Sequence, residues 1–351
     1  MPPPLPSRPG PLGLLVRLGL IGLFLSGLVA AFGYVGGWLD PHRLTPTRMV
    51  EALEHNNGVH PGYRRNHAKG VCVTGYFEGN GQGARLSEAS VFATGRVPVL
   101  GRFALGGGVP HALDGGARTR SLALRFTQAD GQQWRTAMNN APVFGVGTPE
   151  AFQEQVLAAR PDPTTGKPDP ARLKAFQDRH PETAPFLEWS RTAPWPTSFT
   201  NTAFHGLNAF RFVDAAGQGR FVRWALQPEA PLETLSPESR ARQEPDFLSS
   251  DLMARLEQGP ARWKLVVTLA AEGDPTNDAS QRWPDAREHV DVGTLVLEHA
   301  EPQEHGPCRD LNFDPLVLPR GIEPSADPLL AARSAAYAES YRRRTREEAM
   351  P

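Results

Sequence analysis

RRNHAKGVCVTGYF, residues 64–77, begins with two arginines and a histidine and passes at Gly70 into an alternating run of β-branched and aromatic residues. Such alternation predicts a strand over Gly70–Phe77, with His67 just before its first residue. A histidine at a strand start is, taken alone, more often structural than catalytic. Working outward, the same pattern predicts strands over Val97–Leu105, Ser121–Thr127, Trp134–Ala137, Ala203–Val213, Gly219–Leu226, Trp263–Ala270 and Val292–Leu297. Turn signals at Ala129–Gly131 and Ala215–Gly219 separate members of this set. Helical periodicity marks Thr45–His55, Pro149–Leu157, Pro170–Arg179 and Leu329–Arg344, and the Pro-, Asp- and Thr-rich Arg160–Pro168 reads as a linker. Many strands with a helix at the end predict an α+β chain, an antiparallel β-barrel core with helical additions.

Residues 18–39, LGLIGLFLSGLVAAFGYVGGWL, carry no charge. Roughly 20 apolar residues suffice to cross a bilayer as a helix. Arg8 and Arg17 precede the run and Trp38 stands at its far edge, the arrangement of an N-in signal anchor. A cleaved signal peptide, with Val29–Ala31 as its site, is the alternative. The expected divisions are 1–17, a short leading segment; 18–39, the transmembrane anchor; 40–345, the soluble domain; and 346–351, a tail. The soluble part is then expected in the periplasm or otherwise outside the cytoplasm. With 37 basic and 38 acidic residues the formal charge is −1, so no basic surplus argues for nucleic acid. Cys72 and Cys308 are the only cysteines; they pair if the chain is exported, and two free thiols fit equally well.

Two further motifs give His67 a context. MNNAPVF spans residues 138–144, and ARSAAYAESYRRR spans residues 332–344 after GIEPSADPLL at 321–330. In the second, Arg333 and Tyr337 are four apart and share a helix face. The three motifs, in this order and with these residue types, resemble haem catalases, and most of all the short catalase-related peroxidases, over roughly residues 49–344.

The resemblance implies a catalase-type barrel, haem b as cofactor, and a distal pair of His67 and Asn139. His67 would serve as the general base toward peroxide and Asn139 as an amide donor. Tyr337 would be the axial ligand of the haem iron, with Arg333 beside its phenolic oxygen. Arg64, Arg102 and Arg344 would hold the haem carboxylates, for which bidentate guanidinium groups are suited. Phe152 would pack beside the porphyrin, and Asn140 would be a turn residue.

The chain departs from the family pattern in four places. Ala104 stands where catalases have a serine that accepts a hydrogen bond from the distal histidine, so His67 is either less constrained or served by another group. Gly145 stands where a second phenylalanine is frequent, which suggests a wider pocket. Tyr341 replaces a histidine near the propionates. The chain also lacks the long C-terminal domain and N-terminal arm of full-length catalases, so no NADPH and a small oligomer, such as a homodimer, are expected.

The function implied is a haem peroxidase that reduces hydrogen peroxide or organic hydroperoxides with a small organic reductant, with residual catalase activity. Two alternatives are a catalase-like hydroperoxide isomerase of the allene oxide synthase type, for which Asn66 could hold a substrate, and a non-catalytic haem-binding protein. A carrier would need neither His67 nor Asn139.

Overall fold

The computed structural model describes residues 11–36, 40 and 43–348; Trp38 and Leu39, read as the end of the membrane segment, lie outside that set. The first helix, α1 (Pro11–Val35), starts seven residues before the expected span and carries Arg17 within it. Apart from Arg17 and Ser26 it is apolar, and none of its most hydrophobic stretch is buried. A helix of this kind has no soluble core to join. Arg43 donates to the Tyr34 carbonyl at 2.7 Å and lies over the Tyr34 ring, tying the end of α1 to the chain that follows.

The strands are β1 (Gly70–Gly79), β2 (Gly95–Leu105), β3 (Arg120–Thr127), β4 (Gln133–Asn139), β5 (Phe204–His205), β6 (Phe210–Val213), β7 (Gly219–Pro228), β8 (Ala261–Leu269), β9 (His289–Pro302) and β10 (Ile322–Pro324). All their pairings are antiparallel. In the order β7-β5-β4-β3-β2-β1-β9-β8, with β8 pairing back onto β7, eight strands close a barrel, and β6 and β10 continue the sheet beyond β7. Closure removes the free edges that an open sheet would expose. Inward positions are filled by aromatic side chains. Trp134 stacks on Phe126 at 4.7 Å and meets Trp224 edge-on at 5.1 Å, while Phe103 stacks on Phe199 at 4.7 Å.

The helices are α2 (Pro46–Asn57), α3 (Pro149–Ala158), α4 (Pro170–Arg179), α5 (Ala184–Thr192), α6 (Pro237–Ala241), α7 (Phe247–Gln258) and α8 (Pro328–Glu348). Thr45 caps α2 by accepting from the Arg48 amide, with Pro46 in the first turn. The barrel with helices agrees with the expected fold. Helices α5, α6 and α7 and strand β10 go beyond the sequence reading.

Ala203–Val213, expected as one strand, is two. The Gly206 amide bonds the Trp224 carbonyl, a Cβ at Gly206 would stand 2.7 Å from the Trp224 indole nitrogen, and the chain turns through Asn208 before pairing again. Nor is the C-terminal end a bare tail. Helix α8 runs to Glu348, and Glu347 pairs with buried Arg65, which also holds Glu54 of α2 at 2.6 Å. That bridge clamps α8 to α2.

Candidate active site

A cavity of about 820 Å³ lies between the outer face of the barrel and helices α2, α3 and α8. His67, Asn139, Tyr337, Arg333, Phe152, Arg64, Arg102 and Arg344 all border it. The motifs that are far apart in sequence therefore share one cavity. It is mostly apolar, and no aspartate or glutamate is among its described lining residues.

The barrel wall is built on one cross-strand row. In the antiparallel registers Ala104 faces Ser121, and Ser121 faces Asn139. Directly opposed residues project from the same sheet face. His67 stands over this row in an unusual conformation, the only described non-glycine residue with positive φ, at 55°. Left-handed backbone of this kind persists where surrounding bonds over-determine it. Here the Asn66 Oδ1 accepts from the His67 and Gly107 amides, both at 2.9 Å, and the Ala68 amide bonds the Gly107 carbonyl at 3.0 Å. Asn66 thus spends its oxygen on the backbone, which weakens its case as a substrate-binding group.

Ser121 Oγ lies 3.1 Å from His67 Nδ1 and 3.4 Å from the Ala104 carbonyl oxygen. With its hydrogen turned to that carbonyl, Oγ accepts from Nδ1–H and leaves the Nε2 lone pair available. The hydroxyl that Ala104 cannot supply therefore comes from the facing residue one strand over. Of the two outcomes expected from Ala104, substitution by another group is the one found. Burial, then Arg102 and Arg333, holds the His67 imidazole down at about 4. A neutral base results at ordinary pH.

Asn139 ends β4 and borders the cavity. Its neighbour Asn140 is the turn residue expected. It accepts from the Arg120 amide at 2.9 Å and donates to the Arg118 carbonyl at 3.2 Å. Phe152 packs on Phe144 at 5.5 Å. The place beside Gly145 is taken: a Cβ there would stand 3.0 Å from the Gln155 amide nitrogen. Gly145 does not simply widen the pocket, since a polar amide from α3 fills the space.

The helix wall is α8. Arg333 Nη2 approaches Tyr337 Oη at 3.4 Å and the Ala137 carbonyl at 3.3 Å. Its Nη1 donates to Asn208 Oδ1 at 2.5 Å, and Asn208 Nδ2 donates to Asp327 at 2.8 Å. Asn208 and Asp327 are buried and went unread in the sequence. Only the break between β5 and β6 brings Asn208 to this place.

The three arginines expected to hold carboxylates converge at one end. Arg64 donates to the Cys308 and Leu311 carbonyls at 3.0 and 2.9 Å. Arg102 donates to Gln303 and to the Ala68 carbonyl at 3.0 Å. Arg344 bonds the Arg309 carbonyl at 2.5 Å and Asp310 at 3.4 Å, and lies over the Tyr341 ring. Burial, then Arg344, pushes Arg102 down to about 9. Burial, then Arg102 and Arg344, pushes Arg64 well below the usual guanidinium range. A guanidinium keeps its proton in proteins, so the site instead demands an added negative charge. A flat ligand with an apolar body and carboxylates at one edge satisfies that demand. Haem fits the residues present, and Tyr337 on the far wall, with Arg333 beside its phenolic oxygen, would hold its iron.

Residues 37–350 match the family model described as Catalase. A catalase-related peroxidase of Synechococcus elongatus is 39% identical over 326 residues, covering 93% of this chain and 96% of that one. A catalase-related peroxidase of Mycolicibacterium paratuberculosis is 37% identical, covering 86% and 95%. Among solved structures, a fungal catalase aligns with a TM-score of 0.73 at 23% identity, over 84% of this chain and 61% of the other.

Proposed function

The chain belongs to the catalase family, and on that footing we propose that it is a membrane-anchored haem peroxidase working outside the cytoplasm. It reduces hydrogen peroxide or organic hydroperoxides with a small organic electron donor, with residual catalase activity. The observation that carries this reading is the shared cavity: His67 and Asn139 on one wall, Tyr337 on the other, and a cluster of arginines at one end with no carboxylate among the described lining residues.

Tyr337 would hold the iron of haem b, Arg64, Arg102 and Arg344 its carboxylates, and Phe152 one side of its ring. When bound, haem supplies the redox-active iron at which the peroxide O–O bond is broken. The chain's own residues manage the proton. His67 Nε2 takes it from one peroxide oxygen and returns it to the other as that oxygen leaves, so no hydroxide ion is expelled. Asn139 donates an amide hydrogen to the same oxygen and draws charge toward it. Ser121 keeps Nδ1–H occupied, so the base is always the nitrogen facing the cavity. Arg333, held by Asn208 and Asp327, keeps a positive charge at the phenolic oxygen of Tyr337. A haem carrier would have no use for the first three.

An exported location is supported by α1 and by the bond between Cys72 and Cys308, since disulfides persist in oxidising compartments. The working division of the chain is the 18–39 anchor and a domain that starts at residue 40 and takes in Glu347 of α8.

The test is the absorption spectrum of the full-length protein, purified in detergent and supplied with hemin, beside Tyr337→Phe. A ferric high-spin tyrosinate spectrum, altered in the variant, is expected, together with peroxide-dependent oxidation of a chromogenic donor. A folded protein that takes up no hemin would overturn the reading. Conversion of a fatty-acid hydroperoxide to an epoxide without consumption of a donor would replace it with an isomerase.

A further inference from the structure

One short segment between β9 and α8, residues 303–312, touches every arginine at the carboxylate end of the cavity. Gln303 accepts from Arg102 and donates to the Ala68 carbonyl at 3.0 Å. The Cys308 and Leu311 carbonyls accept from Arg64. The Arg309 carbonyl and Asp310 accept from Arg344. The segment has no regular secondary structure beyond turns, so its own backbone bonds do little to fix it. What fixes it is covalent. Cys308 is bonded to Cys72 near the start of β1, where Cys72 faces Arg102 on one side and Glu301 on the other.

We propose that the Cys72–Cys308 disulfide is a positioning device for the ligand-binding arginines, fixing the loop that aims Arg64, Arg102 and Arg344 at a dianionic ligand. This rests on the reading that those arginines hold the haem carboxylates. Arg102 and Arg344 are buried and Arg64 half-buried; three cations crowded together repel one another, and before a ligand arrives that repulsion works to spread them and to lift the loop. The loop's hydrogen bonds oppose this weakly, because many of them end on the same arginines and others stay within the loop. The disulfide is independent of them and anchors the loop to the closed barrel. Its surroundings suit a permanent link rather than a switch. Both cysteines are fully buried, packed with Phe313, Leu311, Leu100 and Ala123. Gly306 passes so close that a Cβ would stand 2.6 Å from Cys72 Sγ. A reductant has no path in without opening the loop.

The link spans 236 residues, so it also restricts the unfolded chain and stabilises the fold in a general way. The experiment must separate that general effect from positioning. Four full-length proteins are loaded with hemin: the parent, Cys72→Ala/Cys308→Ala, Arg344→Gln, and the combination. The rate of hemin transfer to excess apomyoglobin is followed for each. Loss of outer support costs about 10-fold or more in retention. The cysteine pair and Arg344→Gln are each expected to speed release on that scale, and the combination to be faster than the worse of the two by no more than about twofold, because both act through one cradle. Parental release from the cysteine variant, or a combined effect equal to the product of the two, would overturn the positioning role while leaving the haem reading intact. No hemin bound by the folded parent would overturn both. If the alanine pair does not fold, Cys308→Ser alone goes through the same four-way comparison.

Discussion

The two walls of the cavity place their working groups by different means. On the helix wall, Arg333 and Tyr337 come from one element and meet because they are four residues apart on α8. On the barrel wall, His67, Ser121 and Asn139 come from the loop before β1 and from two strands, and meet because sheet register sets Ser121 opposite both Ala104 and Asn139. A helix tolerates sequence change around such a pair so long as the spacing holds. A sheet row tolerates a different change: a hydroxyl can leave one strand and be restored from the next, since both positions face the same way. Ala104 and Ser121 are such a pair: the hydroxyl beside His67 stands on β3, directly across from the β2 position where the resemblance to catalases places a serine.

Breaking the helix wall should have the largest effect. Tyr337→Phe is expected to abolish peroxidase turnover, with the ligand-dependent absorption bands as the check. Removing the base from the barrel wall comes next. His67→Gln should slow the reaction with peroxide by about 10²–10⁴-fold in stopped-flow measurements, with hemin still bound. Asn139→Ala, which removes one donor to the developing charge, should cost on the order of 10²-fold in the same assay.

The sharpest test of the comparison is smaller. Ser121→Ala should cost about tenfold, the scale of one lost hydrogen bond, and Ser121→Ala combined with Ala104→Ser should regain most of it. If the serine works only from position 121, the cross-strand exchange is not the explanation.

A pH series adds the electrostatic side. The imidazole is held at about 4 instead of 6.5, so the peroxide reaction should stay level from neutral pH to about 5 and fall through a midpoint near 4. The sign for folding follows: between 6.5 and about 4 the unfolded chain binds this proton and the folded chain does not, so stability declines as pH drops through that window. Denaturant midpoints at pH 7 and pH 5 would register it, and His67→Gln should flatten the difference.

Much of the site was legible before any fold was drawn. Tyr337, Arg333, His67 and Asn139 were readable because each lies in a short contiguous motif, and local motifs survive in one-dimensional form. The barrel was legible too, since alternation records which face of each strand is buried. Ser121 was not, because register between strands is fixed by closure of the whole sheet and leaves no mark in either strand alone. Asn208 and Asp327 escaped because they reach Arg333 only through the break between β5 and β6. Gln155 escaped because the room left by Gly145, in the loop after β4, is filled from helix α3.

The sequence by itself marked the apolar segment and the strand-rich core through patterning, and through motifs that resemble those of catalases it singled out His67, Asn139, Arg333 and Tyr337 as one candidate site. Patterning and motifs of this kind are written in residue types at short range. The tertiary structure alone decided which hydroxyl serves His67, what fills the space at Gly145, and that Cys72 and Cys308 are joined. Each of those is a contact between distant parts of the chain, set by packing and register, and no local pattern encodes a distance between residues that only folding brings together.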